Sequence, residues 1–300
     1  MISWQTALTL RVFIGNIIVP VMIKKQAGRV DANARFLLQF VIAALISSML
    51  FLFWSEEFDP LVLGASALLG ALTVSGTFFQ WKALAISGAK TSVLAFMDDV
   101  IAMGLSASVL DEWRKITKLA LLGVVCCGLS IVGFVSRALG KKETATEKTP
   151  LRFFVFVGIY SVIWGVSFFL QRVFAMKSFG MMNLVGGWYI GGAVAAFVLT
   201  RYLSKEKNIY KKVASLKKGD VGAIALLAAL IVCAMCLQYV IFHAVIQFAT
   251  MPVLMVGEMI IQATIFLIVF PKERRQFDRY EVGASILAFV GTFLIMFFQS

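Results

Sequence analysis

Asp98 and Asp99 stand side by side in the stretch 92–104, Ser-Val-Leu-Ala-Phe-Met-Asp-Asp-Val-Ile-Ala-Met-Gly. The apolar run that holds them, 90–110, is long enough at about 1.5 Å per residue to cross a bilayer as a helix. A carboxylate at that depth is costly unless it is neutralised, paired or hydrated, so such residues mark pathways and binding sites. Helical neighbours project about 100° apart, so the two acids face different surroundings. Ala95 and Ala102 flank them and leave room for a close helix, a water or a substrate. Adjacent carboxylates share a proton more readily than both ionise, which suits a proton-exchanging site. The competing reading is a structural ion pair or a water-filled vestibule.

Glu258 is a second acid in an apolar run, with Gln262 one turn further along the same face. Arg11 lies within the first apolar run, near Asn16. It has two readings: counter-ion or carboxylate binder, or a shallow cation that snorkels to the interface. His243 is the sole histidine, and in a helix it serves hydrogen-bonded packing more often than proton relay. Aromatics gather at Phe78-Phe79-Gln80-Trp81 and at Gln238-Tyr239 with Phe242. Beside acids such rings can hold an organic cation, and in membranes they also pack or anchor helices. Lys82, Lys90 and Arg172, near the ends of apolar runs, read as snorkelling anchors.

The elements that must carry these residues are helices. Of 300 residues, 60% are hydrophobic and 15% charged, against about 25% charged in soluble domains. Mean hydropathy is +0.90. Lipid cannot satisfy a free backbone amide or carbonyl, so long apolar runs imply an all-α polytopic membrane protein. The pattern predicts ten transmembrane helices, over 6–23, 34–54, 61–83, 90–110, 118–137, 152–172, 182–203, 219–246, 251–270 and 279–298. The polar, proline-terminated stretch 140–150 reads as a linker between residues 1–139 and 151–300.

The two parts align at an offset of 160 positions. Ala89 meets Ala249, Val93 meets Val253, Leu94 meets Leu254, Phe79 meets Tyr239, Gly123 meets Gly283, and Asp98 meets Glu258. Five helices per copy make the repeats inverted, an architecture of secondary transporters whose site lies where the repeats meet. Of the 28 Lys and Arg, 22 fall in odd-numbered connections and 5 in even-numbered ones. That bias places the odd connections in the cytoplasm and both termini outside.

On these residues the chain resembles the drug/metabolite transporter superfamily, in its ten-helix EamA-like branch. The likeness rests on Ala83-Leu84, Ala89 and Ser92 entering the fourth helix, Glu112 after it, and Gly123 in the fifth. It continues through Ala249, Glu273 and Gly283 in the second copy, with Asn33-Ala34-Arg35-Phe36, Trp164-Gly165 and Arg172. The resemblance implies two inverted five-helix repeats around a central cavity, lined by candidates such as Asn16, Phe79, Gln80, Trp81, Trp164, Gln238, Tyr239 and His243. It also implies small organic substrates, often exported. Members commonly carry a proline near the middle of the fourth and ninth helices. Here Asp99 and Met259 stand in those places, and Pro252 comes earlier. Family members are usually drawn with both termini cytoplasmic, opposite to the charge bias.

The net charge of +12 sits in short connections, where it sets topology and meets lipid headgroups, so nucleic acid is not expected as a partner. Cys126, Cys127, Cys233 and Cys236 lie within apolar runs and read as buried thiols. The first run lacks a basic leader region and a small-residue cleavage site, and reads as a helix. No P-loop, nucleophile elbow or His/Cys metal set is present in the sequence, so neither an enzyme nor a cofactor is expected. The expected function is secondary active transport, by alternating access, of amino acids, amines or amphipathic drug-like compounds, as exporter or exchanger and with proton coupling. Substrate or proton would be bound by Asp98, Asp99, Glu258, Arg11 and Gln262. Alternatives are an intramembrane lipid-modifying enzyme using the acid pair, and a channel or scaffold. The expected setting is a bacterial inner membrane, as monomer or homodimer, with the small-molecule substrate and membrane lipids as the partners.

Overall fold

The computed structural model describes residues 3–53, 56–111, 117–140, 150–177, 179–203, 208–244 and 257–297, and its regular elements among these are all helices. In chain order they are α1 (Trp4–Ala27), α2 (Ala32–Phe53), α3 (Pro60–Ile86), α4 (Gly88–Val109) and α5 (Lys118–Gly140). Then come α6 (Leu151–Met176), α7 (Met181–Leu203), α8 (Lys218–Ala244), α9 (257–269) and α10 (Arg279–Phe297). A short helix, Ile209–Ala214, lies between α7 and α8, and a 3₁₀ turn, Pro271–Gln276, joins α9 to α10. Helices α1–α8 are long and apolar enough to span a bilayer. The chain is an all-α, multi-pass membrane protein. Glu112, Ala249, Pro252, Val253, Leu254 and positions 141–149 of the linker lie outside the described residues.

Local chemistry explains the element ends. Ser3 caps α1, its hydroxyl accepting the Thr6 amide at 3.2 Å. Pro60 opens α3 at a position that needs no amide, while the Asp59 carboxylate accepts from Leu61 and Val62. In α1 the stretch Val12–Ile18 is a π-helix. Pro20 follows it, and a proline ring collides with the carbonyl four residues earlier, here Asn16. The wider π turns move that carbonyl aside, and Val19 donates five residues back to Ile14.

The helices form two compact units that do not follow the halves of the sequence. Unit 1 contains Met1–Trp81 and Leu170–Ala244; unit 2 contains Lys82–Phe169 and Val245–Ser300. Each takes segments from both halves of the chain.

Within unit 1, α3 and α7 lie backbone to backbone. A Cβ on Gly187 would strike the Leu63 carbonyl, one on Gly191 the Ala67 carbonyl, and one on Gly70 the Trp188 carbonyl. The small-residue stripe of α7 is therefore spent inside the unit. The Tyr189 hydroxyl donates to the Ile231 carbonyl at 2.8 Å and ties α7 to α8. Buried Arg35 joins the α1–α2 turn to the start of α8, donating to Asp31 (2.8 Å), Gln26 (2.5 Å) and Asp220 (3.1 Å).

Within unit 2, α5 and α10 are equally close: a Cβ on Gly123 would come 2.5 Å from the Gly291 carbonyl. Ser130 donates across this seam to the Ala284 carbonyl at 2.6 Å. The start of α4 is held by the turn after α9. Glu273 accepts from the Ser87 hydroxyl (2.7 Å) and the amides of Gly88 (3.0 Å) and Ala89 (3.3 Å). Lys90 donates to Glu281 at 2.7 Å and lies 5.5 Å from the Phe277 ring centre.

Candidate functional site

Unit 2 places the aspartates beside a break in α4. The helix runs from Gly88 to Leu94, turns at Ala95, and resumes from Phe96 to Val109. At the turn the amides of Ala95 and Asp98 reach back three residues, to the carbonyls of Ser92 and Ala95, both at 3.2 Å. Asp98 and Asp99 therefore occupy the first turn of the second piece, where unpaired amides and the helix dipole favour negative charge. An oxygen of Asp98 accepts the Asp99 amide at 3.1 Å. Both acids are buried, at 5% and 1% exposure. Ser87 begins the first piece and Ala95 allows the turn; neither glycine nor proline marks the break.

Helix α6 covers the break. The Tyr160 hydroxyl donates to the Thr91 carbonyl at 3.3 Å, a carbonyl that the Ala95 amide bypasses. Gly165 meets the Asp98 backbone directly, since a Cβ there would lie 2.8 Å from the Asp98 carbonyl oxygen. Trp164 packs on Phe168, ring centres 5.1 Å apart, and its buried indole nitrogen has no hydrogen-bond partner among the described residues.

Helix α9 runs against the first piece of α4. The ring of Phe266 lies where a Cβ on Gly88 would go, and Gln262 donates to the Ser92 hydroxyl at 2.7 Å. The Ser92 hydroxyl in turn donates a hydrogen bond to the Gly88 carbonyl at 2.9 Å. These two contacts define an antiparallel register, and one more turn brings position 258 level with Phe96. The backbone at Glu258 belongs to a π-helix, Gly257–Gln262; its side chain lies outside the described residues. Gln262 thus faces a serine of α4, a partner the sequence left unpaired.

Unit 1 assembles a separate polar cluster on α1 and α8. Half-buried Arg11 donates to Gln238 at 2.9 Å and to Asn16 at 2.6 Å. Its guanidinium fills the space that Gly15 leaves by having no Cβ. Both of these partners are side-chain amides rather than carboxylates. Gln238 is 2% exposed, and its amide nitrogen has no partner among the described residues. Trp81 is buried edge-on to Phe36 at 5.4 Å, Phe79 packs against Phe78 at 5.7 Å, and Gln80 is half-buried.

The end of α8 is stitched to the end of α6. Tyr239 donates to the Phe179 carbonyl, Arg172 donates to the Phe242 carbonyl, and His243 Nδ1 lies 3.1 Å from the Ala175 carbonyl. A carbonyl only accepts, so Nδ1 carries the proton. The His243 ring stacks on Tyr239 and is exposed.

Two anchors behave otherwise than expected. Lys90, read as snorkelling, is 1% exposed and paired with Glu281; Arg172 is 7% exposed. Sequence reasoning passed over Glu281 and Ser161, and valued Ser92 and Glu273 only through the resemblance. A signal existed for Glu281: an acid near the start of an apolar run needs a cation of its own.

No family model matches the chain, and no curated protein matches it. A solved crystal structure described only as that of a protein is similar over 96% of this chain and 95% of its own length, with a TM-score of 0.63 and 15% identity. That likeness is one of fold.

Proposed function

We propose that this protein is a secondary active transporter of the EamA-like kind, with ten spans in two inverted five-helix repeats, 1–139 and 151–300. It would move small organic metabolites, such as amino acids, amines or amphipathic drug-like compounds, as exporter or exchanger, across a bacterial inner membrane. The observation that carries this reading is the break of α4 beside two buried aspartates. A spanning helix gives up its hydrogen-bond ladder only where the freed groups have work, and discontinuous helices with charged residues are how transporters build sites at membrane depth. The π-helical stretches that accompany Arg11 and Asn16 in α1 and Glu258 in α9 support it, since such distortions concentrate at functional positions.

Asp98 and Asp99 hold the cationic group of the substrate or a proton. The backbone at Ala95 is the hinge that lets the pieces of α4 shift while the substrate exchanges sides. Purified protein in sealed vesicles, loaded with a mixture of amino acids and amines, should show saturable counterflow. Asp98→Asn and Asp99→Asn should each reduce it at least tenfold with the protein still folded. Undiminished counterflow in both variants would remove the acids from the mechanism; turnover of lipid by detergent-solubilised protein would favour the enzyme instead.

A further inference from the structure

We propose that a sodium ion binds within unit 2 at the break of α4, held by the Asp98 carboxylate, the Leu94 carbonyl and the Ser161 hydroxyl. In an unbroken helix the amides of Ala95 and Asp98 would serve the carbonyls of Thr91 and Leu94. Here they turn to Ser92 and Ala95 instead. Tyr160 takes up the Thr91 carbonyl. The Leu94 carbonyl is left by the Asp98 amide, which turns to Ala95.

Ser161 sits beside it. Gly165 of α6 touches the Asp98 backbone, and Tyr160 reaches Thr91, so α4 and α6 run side by side in the same direction. Ser161 is one turn before Gly165 on the same face, which brings it level with Leu94. It is fully buried, and its hydroxyl has no hydrogen-bond partner among the described residues. A buried hydroxyl without a partner is costly, and a ligand that uses its oxygen removes the cost.

The Asp98 carboxylate completes the group. Helical amides point toward the N-terminus, so the oxygen that accepts the Asp99 amide lies on the side of the break. Carboxylate, carbonyl and hydroxyl oxygens at one level of one seam form a hard ligand set. The same freed backbone groups coordinate sodium in transporters with discontinuous helices. The tight α4–α6 approach at Gly165 favours the smaller alkali ion. Use of the ion in transport rests on the function proposed above; its binding does not.

The test is thermal unfolding of the full chain in detergent, at constant ionic strength, in sodium, potassium or choline chloride. Sodium should raise the midpoint by a few degrees and saturate, as a ligand of the folded state does. The rise should vanish in Ser161→Ala and Asp98→Asn and persist in Ser108→Ala, whose hydroxyl is exposed on the same helix as the acids. Should Asp98→Asn fail to fold, Ser161→Ala carries the result. Equal midpoints in the three salts, an undiminished rise in Ser161→Ala, or stabilisation by acid alone would overturn the assignment. A sodium rise without counterflow would keep the ion and remove the transporter; counterflow in sodium-free vesicles without a rise would do the reverse.

Discussion

Each unit buries a cation near the start of a helix, and the two solve the same problem differently. Arg35 of unit 1 spreads its guanidinium over three partners: Asp31, Gln26 and Asp220. Both of its acids are partly exposed, at 29% and 31% of the side chain. Lys90 of unit 2 meets Glu281, whose side chain is 4% exposed against 1% for the lysine. A guanidinium forks to several acceptors while water screens the far side of each; an ammonium and a carboxylate both removed from water depend on each other. The exposure of the partners, more than the charge itself, decides how brittle such a knot is.

The largest effect should follow from breaking the Lys90 pair on one side. Lys90→Met leaves the Glu281 carboxylate buried without its cation, with the Asp278 amide at 3.0 Å still donating to it, and should cost about 3–5 kcal/mol in detergent unfolding. Adding Glu281→Gln should recover most of that, and a double variant no better than the single would show that the pair is not the source. A smaller loss, about 1–2 kcal/mol, is expected of Arg35→Lys, because one ammonium cannot meet three separated acceptors. A loss matching that of Lys90→Met would erase the distinction between the two knots.

The smallest effect concerns pH. The hydrogen bond from Arg35 holds the Asp31 carboxyl below its ordinary value of 3.8, although partial burial works the other way. A carboxyl depressed in the folded state is harder to protonate there than in the unfolded chain, so its contribution is present above that value and is lost as pH falls below it. The melting midpoint of the native protein should therefore drop more steeply below pH 3.8 than that of Asp31→Asn. Identical curves would show that Asp31 adds nothing to the knot.

The helices were legible because composition and run length report apolar segments, and the burial of Asp98 and Asp99 followed from their place inside one. The break in α4 was not. It falls at Ala95, and its signal is a backbone register that turns from four residues to three. Gln262 was legible as a buried polar group but not as the partner of Ser92, because a sequence fixes distance along a helix and leaves open which neighbour that face meets. Lys90 was misread for the same reason: nearness to a helix end resembles nearness to water until Glu281 and Phe277 close over it. Gly187 and Gly191 stand four apart on one helix face, a spacing that suits close packing, and only the Leu63 and Ala67 carbonyls name the partner.

The π stretch of α1 sets the phase of that helix. Each π turn takes in an extra residue, so the segment before Val12 is rotated about 100° from where a continuous α-helix ending at Ala27 would put it. That rotation lets Arg11 and Asn16, five positions apart, meet on one side rather than diverge. In a regular α-helix of the same length, residues five apart would diverge by about 140°, so straightening the π stretch at constant length would carry the arginine away from Asn16.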